Sequence, residues 1–319
     1  MSVAVLGAGA FGTSLALALS RDGQAVTLWA RDAEVARSMQ DTRVTGERLP
    51  GFTLPETLTV TGDLASIDAD TLLLAVPMQS LASFLTQAPD ISDRALVACC
   101  KGIDRQTGLG PVATIEATCQ KATAALLTGP SFAADIARGL PTALVIATRQ
   151  AADATRLQNA LSRPALRLYR STDVTGAELG GALKNVIALA AGIAIGAGLG
   201  DSARASVIAR GFAEMGRFAG ANGAETETLQ GLSGLGDLVL TCTSEKSRNF
   251  VAGQALGRGE TPDPSKTVEG IATASAIVAL ADQQGLDMPL TGAVAAVAEG
   301  KLDIRSAIEA LLARPVGTE

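Results

Sequence analysis

Two lysines occupy positions in this sequence from which they could move a proton. None of the 319 residues is a histidine, which excludes Ser-His-Asp and Cys-His hydrolases, His-ligated zinc and haem sites, and dehydrogenases that use imidazole as their acid or base. Lys101 follows the apolar run at residues 95–98, and open α/β sheets bind ligands at the carboxyl ends of such strands. Lys184 and Asn185 form a polar pair within an otherwise apolar helical pattern. Because burial disfavours an ammonium, we expect Lys184 to exchange a proton readily, whereas the ordinary alternative for either lysine is a solvated surface side chain.

Other segments carry residues suited to binding an anion. Gly129 and Ser131 lie in a predicted turn between a strand and a helix, where backbone N–H groups can donate to an anion. Asp237 precedes the tripeptide Ser247-Arg248-Asn249, in which the serine can cap a helix and the arginine can hold a phosphate through two hydrogen bonds. Each feature is equally typical of ordinary capping and turns, and Glu269 is equally typical of an acid in the first turn of a helix.

A glycine-rich segment near the N-terminus predicts a dinucleotide-binding loop. Gly7, Gly9 and Gly12 follow a short apolar strand directly and open an apolar helix. In that context the first glycine permits a tight turn, the second lets the backbone approach a pyrophosphate, and the third lets helix and strand pack closely. The same spacing occurs by chance in glycine-rich turns, but its place within a βαβ pattern favours nucleotide binding.

The cofactor expected in this loop is NADP or NAD, with NADPH favoured. In NAD-binding folds an acidic residue about 20 residues further on binds the ribose 2′-hydroxyl. Arg31 lies near that position, and a guanidinium suits a 2′-phosphate. The alternative is that Arg31 is a solvated loop residue and that Asp32 caps the next helix.

The apolar periodicity predicts an α/β fold, in which an N-terminal Rossmann-type domain with a parallel sheet precedes a C-terminal all-helical domain. Strand-like runs alternate with helical patterns, as in βαβ units, at residues 3–6, 25–28, 71–76, 95–98, 125–127, 143–147 and 166–169. A helical period then prevails, at residues 176–198, 202–221, 248–257, 271–284, 290–299 and 304–313. The polar stretch at residues 171–173 sets the expected boundary, with domains at residues 1–172 and 173–319.

The composition restricts the class of protein and its partners. A hydrophobic fraction of 47% against a charged fraction of 18% is typical of a folded chain with a large core. A net charge of −6 without a basic run argues against nucleic acid as a partner. The apolar stretch at residues 186–199 is too short to span a membrane and is interpreted as a buried core helix.

The cysteines and the N-terminus bear on the compartment. The four cysteines show no CxxC spacing, and the N-terminus carries no basic region before its apolar stretch. These features predict a reduced, cytoplasmic protein, and we expect no metal site. The sequence leaves the oligomeric state open, a homodimer included.

Taken together, these segments resemble one family over nearly the whole chain. The motifs are GAGAFGTSLA at residues 7–16, KGI at 101–103, GPSFA at 129–133, GGALKNVIA at 181–189, GLGDLVLTCTSEKSRN at 234–249 and VEG at 268–270. The sequence is similar to bacterial-type NAD(P)-dependent glycerol-3-phosphate dehydrogenases, and the GGALKN and GDLVLTC blocks are specific to that family. The resemblance implies an oxidoreductase that interconverts dihydroxyacetone phosphate, a small-molecule substrate, and sn-glycerol 3-phosphate with NADPH or NADH, and that supplies glycerol 3-phosphate for phospholipid synthesis.

The resemblance also implies roles for individual residues. Lys184 matches the lysine that donates or accepts the proton and contacts the substrate, and Lys101 matches a second lysine that binds substrate near the cofactor. The other matching substrate-binding positions are Gly129, Ser131, Asp237, Ser247, Arg248 and Asn249. The matching cofactor contacts are Ala10, Phe11, Arg31, Lys101, Ala133, Arg248, Thr267 and Glu269, beside the loop glycines Gly7, Gly9 and Gly12.

Two positions depart from the family pattern, and two other functions stay open. Phe11 stands where many relatives have Tyr or Trp, and Thr267 stands where Val is usual; neither change touches the chemistry. A β-hydroxyacid dehydrogenase with a similar two-domain plan is one alternative, although those enzymes typically place the helical Lys and Asn a turn apart rather than adjacent. A non-catalytic NADP(H)-sensing regulator is the other, and it would need neither Lys184 nor Arg248.

Overall fold

The chain folds into two units. The computed structural model describes residues 1–88, 91–264 and 267–313. Within these ranges, the sheet unit comprises Met1–Lys101 and Leu109–Glu178, and the helical unit comprises Gly102–Gly108 and the described part of Leu179–Glu319. The short segment Gly102–Gly108, between two elements of the sheet unit, therefore belongs to the helical unit. The domain limits expected at residues 172 and 173 stay a prediction, and residues 314–319 lie outside the described residues.

The sheet unit is built on eight strands that form one sheet. The strands are β1 Val3–Leu6, β2 Val26–Trp29, β3 Leu58–Thr61, β4 Thr71–Leu74, β5 Ala95–Ala98, β6 Thr123–Thr128, β7 Thr142–Ala147 and β8 Leu166–Ser171. Their order is β3-β2-β1-β4-β5-β6-β7-β8. Every residue of β1, β4 and β5 is buried, as expected for strands covered on both faces. Because the order reverses at β1, the carboxyl ends of β1 and β4 form the crevice at which such sheets bind ligands.

The sheet differs from the predicted parallel sheet at one pair of strands. β6 and β7 are antiparallel, with Leu126 opposite Ala147, whereas the other neighbouring pairs are parallel. The connection between them contains only a six-residue helix, and a parallel pair needs a longer crossover than an antiparallel one. The sequence pattern also misses β3, a short edge strand in which buried and more exposed residues alternate.

Six helices accompany the sheet. They are α1 Ala10–Ser20, α2 Ala33–Thr42, α3 Met78–Gln87, α4 Pro111–Thr118, α5 Ala133–Arg138 and α6 Ala151–Leu161. α1 packs on β1, β2 and α5, while α4 packs on β5, β6 and α3. Leu15 and Leu19 of α1 are fully buried in the same cluster as Val5 and Leu28 of the sheet. Burial of this apolar surface provides most of the free energy that holds α1 against the strands.

The helical unit contains eight α-helices and one π-helical turn among the described residues. They are α7 Val174–Gly196, which begins in the sheet unit, α8 Gly200–Ala221, α9 Thr226–Gln230, the π-helical turn Leu232–Gly236, α10 Asp237–Cys242, α11 Arg248–Gly257, α12 Glu269–Gln284, α13 Pro289–Ala298 and α14 Ile304–Leu312. All six helices predicted in this half are present. The pattern does not predict α9, the π-helical turn or α10, because Gly231, Gly234 and Gly236 lower the helix propensity of this stretch.

α7 is longer than the apolar run that predicted it. It has 23 residues, and by length and composition it is the one described helix that could cross a membrane. However, 83% of its most apolar window is buried inside the fold. The expectation of a buried core helix is therefore confirmed by burial, whereas the argument that the segment is too short to span is wrong.

Glycines allow α7 and α11 to approach each other closely. A Cβ at Gly192 of α7 would overlap the carbonyl of Phe250, and a Cβ at Gly253 of α11 would overlap the carbonyl of Leu189. The two helix backbones are thus in direct contact, which only the smallest residue permits. This contact holds α11, which begins with the candidate site residues Arg248 and Asn249, against the part of α7 that follows Lys184.

Candidate active site

The three glycines of the predicted nucleotide loop shape the turn between β1 and α1. Gly7 has φ of +123°, a region that favours glycine, and its N–H donates to the carbonyl of Trp29 at 3.0 Å. A Cβ at Gly12 would overlap the carbonyl of Gly7, so helix and turn touch at that point. At Gly9, the N-cap of α1, no atom lies within 4 Å of the place a Cβ would occupy. The amino end of α1 is therefore open beside Gly9, as a diphosphate would require.

Three predicted cofactor contacts lie at the starts of two neighbouring helices. Ala10 and Phe11 begin α1, and Ala133 begins α5. All three are partly buried and pack against the core of the sheet unit. α1 and α5 contact each other, so these positions belong to one packed layer on the sheet.

Arg31 and Asp32 follow the carboxyl end of β2. Asp32 is the N-cap of α2: its Oδ1 accepts hydrogen bonds from the N–H groups of Glu34 at 2.9 Å and Val35 at 3.3 Å. The prediction that Asp32 caps this helix is confirmed, and its carboxylate is engaged there. Arg31 is exposed. The guanidinium of Arg31, just beyond the carboxyl end of β2, is therefore exposed to solvent.

Lys101, Gly129 and Ser131 converge on one carbonyl group of the sheet unit. Lys101 lies beyond β5, and its Nζ donates to the carbonyl of Gly129 at 3.2 Å. Gly129 follows β6 with φ of +129°, and the Oγ of Ser131 donates to the same carbonyl at 3.4 Å. β5 and β6 are adjacent and parallel, so their carboxyl ends meet at one edge of the sheet. The structure therefore brings these three predicted substrate-binding residues together.

Lys184 is the centre of a buried polar cluster in the helical unit. It is 7% exposed, and its Nζ lies 2.7 Å from Oδ1 of Asp237, which is 0% exposed. The same Nζ donates to Oγ1 of Thr241 at 2.8 Å, and Thr241 in turn donates to the backbone carbonyl of Asp237 at 2.6 Å. Asp237 and Thr241 are one helical turn apart on α10, so they present their oxygens on one face. The ammonium is thereby held in a fixed position by two oxygens.

Asn249 connects three helices of the same unit. Its Nδ2 donates to Oδ1 of Asn185 on α7 at 3.0 Å, and its Oδ1 accepts from the N–H of Gly270 on α12 at 2.9 Å. A Cβ at Gly270 would lie 2.6 Å from the carbonyl oxygen of Asn185, so a glycine is needed for this close approach. Asn185 and Asn249 are both buried. The polar pair predicted in α7 therefore divides its contacts, since Lys184 contacts α10 and Asn185 contacts α11.

The remaining predicted residues lie at the starts of α11 and α12. Ser247 is the N-cap of α11 and accepts a 3.2 Å hydrogen bond from the N–H of Phe250, which confirms its capping role. Arg248 is the first residue of α11 and is exposed. Glu269 is partly buried in the first turn of α12, as the simpler interpretation predicts, and Thr267 is exposed just before it.

The described residues contain neither a disulfide nor a cluster of metal ligands. The four cysteines are buried and form no disulfide with one another. Burial raises the pKa of Cys242 to about 12, in spite of the nearby Lys184, so this thiol is protonated at neutral pH. Within the described ranges, no group of three or more Cys, Asp and Glu residues is arranged to hold a metal ion.

Two family models match the chain. Residues 2–154 match the N-terminus of NAD-dependent glycerol-3-phosphate dehydrogenase, and residues 173–309 match the C-terminus. A glycerol-3-phosphate dehydrogenase (NAD(P)+) from Ruegeria sp. (strain TM1040) is 57% identical over 321 residues, covering all of both chains. This chain belongs to the NAD-dependent glycerol-3-phosphate dehydrogenase family.

Other members of the glycerol-3-phosphate dehydrogenase family extend the match. The relative from Paracoccus denitrificans (strain Pd 1222) is 58% identical over 322 residues and is covered in full. Among solved structures, glycerol-3-phosphate dehydrogenase from Coxiella burnetii has a TM-score of 0.92 at 36% identity, covering 98% of this chain and 99% of that chain. The Rossmann-type sheet unit followed by helices is thus the architecture of the family.

Two polar residues of the helical unit, Thr241 and Asn185, are not among the site residues that the family motifs predict. Thr241 lies inside the GDLVLTC block but is not singled out there, although its i, i+4 spacing from Asp237 is a signal that could have found it. From the sequence, Asn185 is recognisable only as a polar residue beside Lys184. Its partner Asn249 is 64 residues away along the chain, so only the tertiary structure identifies the pair.

Proposed function

We propose that this chain reduces dihydroxyacetone phosphate to sn-glycerol 3-phosphate, and catalyses the reverse oxidation, as a glycerol-3-phosphate dehydrogenase that uses NADPH or NADH. The product would supply glycerophospholipid synthesis. The observation that carries the proposal is the buried cluster of Lys184, Asp237 and Thr241 in a chain without histidine. The substrate is inferred from the family to which the chain belongs. The cluster contains the group able to exchange the proton, Lys184.

Lys184 is the proposed catalytic acid and base. In the direction of reduction, its ammonium donates a proton to the oxygen on carbon 2 of the substrate as that oxygen gains negative charge. In the direction of oxidation, the neutral amine takes the proton from the hydroxyl. The Asp237 carboxylate and the Thr241 hydroxyl hold Nζ in place, so that little rotamer freedom is lost when the substrate binds.

Arg248 is the proposed ligand of the substrate phosphate. It is the exposed first residue of α11, and the Ser247 cap and the bonds of Asn249 fix the backbone on either side of it. A guanidinium can hold a phosphate through two parallel hydrogen bonds. Ser247 and Asn249 are proposed to complete the site mainly by orienting this helix start. From the sheet unit, Lys101, Gly129 and Ser131 are the further proposed substrate contacts.

The residues at the start of α1 fit a dinucleotide. The open space beside Gly9 and the positive φ of Gly7 leave the helix N-terminus accessible to a diphosphate. Gly7, Gly9, Ala10, Phe11 and Gly12 are proposed to hold the cofactor, with Lys101, Ala133, Arg248, Thr267 and Glu269 as further contacts. When bound, the nicotinamide supplies the hydride for reduction or accepts it in oxidation.

Arg31 is the proposed determinant of cofactor choice. Its exposed guanidinium at the end of β2 can neutralise a 2′-phosphate, while the neighbouring Asp32 carboxylate is engaged in capping α2. The proposal is therefore that NADPH binds more tightly than NADH.

The four buried cysteines, which form no disulfide with one another, support placing the protein in the cytoplasm. The assembly we propose to test is a homodimer.

A turnover assay tests the proposed function. Purified protein is mixed with dihydroxyacetone phosphate and either NADPH or NADH, and cofactor oxidation is followed by absorbance with product identified by mass. We expect turnover with both cofactors, faster at low NADPH than at equally low NADH. Turnover on a β-hydroxyacid but not on sn-glycerol 3-phosphate in the oxidative assay would indicate the β-hydroxyacid dehydrogenase alternative. NADPH binding without turnover would indicate a sensing protein.

A further inference from the structure

The proposed mechanism gives no task to one acid on the helix that carries Lys184. Glu178 lies on α7, six residues before Lys184, and is partly buried. It accepts a 2.6 Å hydrogen bond at Oε1 from the N–H of Val112, the second residue of α4. Both residues belong to the sheet unit.

The start of α4 is built so that it needs an acceptor from elsewhere. Its N-cap is Gly110, which has no side chain, and its first residue is Pro111, which has no N–H. The N–H of Val112 is therefore the first donor of this helix. Glu178 satisfies it from another element and places an acidic group at the positive end of the helix dipole.

The close approach of Glu178 depends on the glycine at position 110. A Cβ there would lie 2.6 Å from Oε2, 2.7 Å from Cδ and 2.9 Å from Oε1 of Glu178. The φ of Gly110 is −76°, which any residue adopts, so the requirement is one of space rather than of backbone conformation. Gly110, the N-cap of α4, thus leaves space for this carboxylate, and Val112, the second residue of α4, donates the hydrogen bond to it.

We propose that Glu178 is a positioning residue for the reaction: it fixes the first turns of α7 on α4 and thereby holds the helix that carries Lys184. α7 is one continuous helix of 23 residues. A constraint at Glu178 is therefore transmitted through a regular backbone to Lys184, about 9 Å further along the axis. The inference rests on the proposed function, because it assumes the proton transfer by Lys184.

The helical unit offers a matched control in Glu214. This residue of α8 is 3% exposed and accepts hydrogen bonds from the N–H groups of Leu290 at 2.6 Å and Thr291 at 3.0 Å. It therefore caps α13, which also begins with a proline. Burial raises the pKa of Glu214, as it raises that of Glu178. The two acids have the same local role, but neither α8 nor α13 carries a residue proposed to contact substrate or cofactor.

Steady-state kinetics of variants of the full chain test the inference. Glu178→Ala removes the acceptor. Gly110→Ala displaces the flexible Glu178 carboxylate while the sequence of α7 stays that of wild type. We expect each to lower kcat by about tenfold while the KM for NADPH stays within about twofold of wild type, since a small displacement of a catalytic group has a large effect on rate. Glu178→Gln keeps an amide oxygen as acceptor and should retain at least about half of the wild-type kcat.

The Glu214 variants separate positioning from plain stabilisation. Glu214→Ala and Glu214→Gln should lower the melting temperature and leave kcat within about twofold of wild type. The inference is overturned if kcat of Glu178→Ala falls no more than about threefold below that of Glu214→Ala, or if Gly110→Ala keeps the wild-type kcat. Where an alanine variant of either glutamate fails to fold, Gly110→Ala and the two glutamine variants decide the question.

The turnover of the wild-type chain distinguishes a failure of the proposed function from a failure of the positioning role. A wild-type chain without turnover on dihydroxyacetone phosphate would reject the proposed function and this inference together. A wild-type chain with turnover, combined with equal kcat in Glu178→Ala and Glu214→Ala, would reject the positioning role alone.

Discussion

The two units place their candidate site residues by different physical means. In the sheet unit the nucleotide loop is a backbone feature: Gly7 supplies a positive φ, Gly9 leaves open space, and Gly12 touches the turn. In the helical unit the corresponding feature is a network of buried side chains, in which Lys184 contacts Asp237, 53 residues away along the chain. The first kind of site is encoded in a short segment, whereas the second exists only after several helices have packed. Substitutions in the two units should therefore change different quantities: those in the nucleotide loop should change cofactor binding, and those in the buried network should change turnover.

The largest expected effect is the loss of the proton donor in the helical unit. Lys184→Met removes the ammonium from a chain that has no histidine to replace it. We expect kcat to fall by roughly 10²–10⁴, the range for loss of a general acid. NADPH affinity, measured by cofactor fluorescence, should stay near wild type, since the nucleotide loop is in the other unit. Near-normal turnover in this variant would remove Lys184 from the mechanism.

Arg248→Ala should produce the next largest effect, on substrate affinity. The variant loses a charge-assisted contact of about 1.5–3 kcal/mol, which corresponds to roughly 10- to 150-fold in the KM for dihydroxyacetone phosphate. Its exposed side chain has little part in packing, so the melting temperature should change by no more than a few degrees. A KM equal to that of wild type would show that the phosphate binds elsewhere.

The difference between the units also explains what the sequence could and could not predict of the fold. Short apolar runs and glycine spacing locate seven of the eight strands and the loop after β1, because these features are local. The antiparallel pairing of β6 with β7 depends on how the chain returns across the sheet, which no local pattern contains. Likewise α10 lies in a glycine-rich stretch of low helix propensity and is stabilised by burial of Leu238 and Cys242.

For the candidate site, the sequence motifs indicate which residues take part better than they indicate which residues contact one another. Lys184 and Asp237 were both recognisable from their motifs, and the ion pair between them is present. Asn185 needs the tertiary structure, since its importance lies in its contact with Asn249, whereas the i, i+4 spacing of Thr241 from Asp237 is visible in the sequence. The resemblance predicts that Asn249 binds substrate, and its described hydrogen bonds join α7, α11 and α12. A role in substrate binding for Asn249 stays a prediction.

Two glycine substitutions in the sheet unit test whether the nucleotide loop is a backbone feature. Gly9→Ser places a side chain in open space and supplies a good N-cap, so the fold should keep its melting temperature. The same side chain would occupy the place of the diphosphate, and overpacking of about 1–3 kcal/mol corresponds to roughly 5- to 150-fold weaker NADPH binding.

Gly12→Ala is the contrasting variant. Its Cβ would overlap the backbone carbonyl of Gly7, so it should lower the melting temperature as well as cofactor affinity. Calorimetry and fluorescence titration of both variants check this difference. If Gly9→Ser bound NADPH as tightly as wild type, the diphosphate would have to lie away from the start of α1.

A smaller effect is expected for cofactor choice at Arg31. Arg31→Asp removes a cation and adds an acid near the proposed 2′-phosphate, so the KM for NADPH should rise by at least about tenfold. NADH lacks that phosphate and should be little affected or improved. The difference should shrink with rising salt, because the side chain is exposed. Kinetics with both cofactors at two ionic strengths measure it, and equal losses for NADPH and NADH would show that Arg31 only shapes the loop.

The last expected effect concerns stability rather than turnover, at the acid that joins α7 to α4. Burial raises the pKa of Glu178 from 4.5 to about 7, although the hydrogen bond from Val112 and the charge of Arg149 oppose the rise. Glu116 adds to the rise but is itself paired with Arg149 at 2.7 Å. An acid of this kind titrates near neutral pH, where exposed glutamates are already ionised.

The sign of the pH dependence follows from which state binds the proton more tightly. The folded chain holds the Glu178 proton to a higher pH than the unfolded chain does, so its contribution to the free energy of unfolding is complete below pH 4.5 and is lost as the pH rises through about 7. Glu178→Gln removes this titration and keeps an acceptor for Val112. Between pH 5 and pH 8 the difference in free energy of unfolding should therefore shift in favour of the variant, by about 1–3 kcal/mol. Denaturant unfolding of both proteins at the two pH values measures the shift, since the titrations of other groups cancel in the difference. A difference that stays constant over this range would show that Glu178 titrates as an ordinary surface acid and that its carboxylate is not held in a desolvated contact with α4.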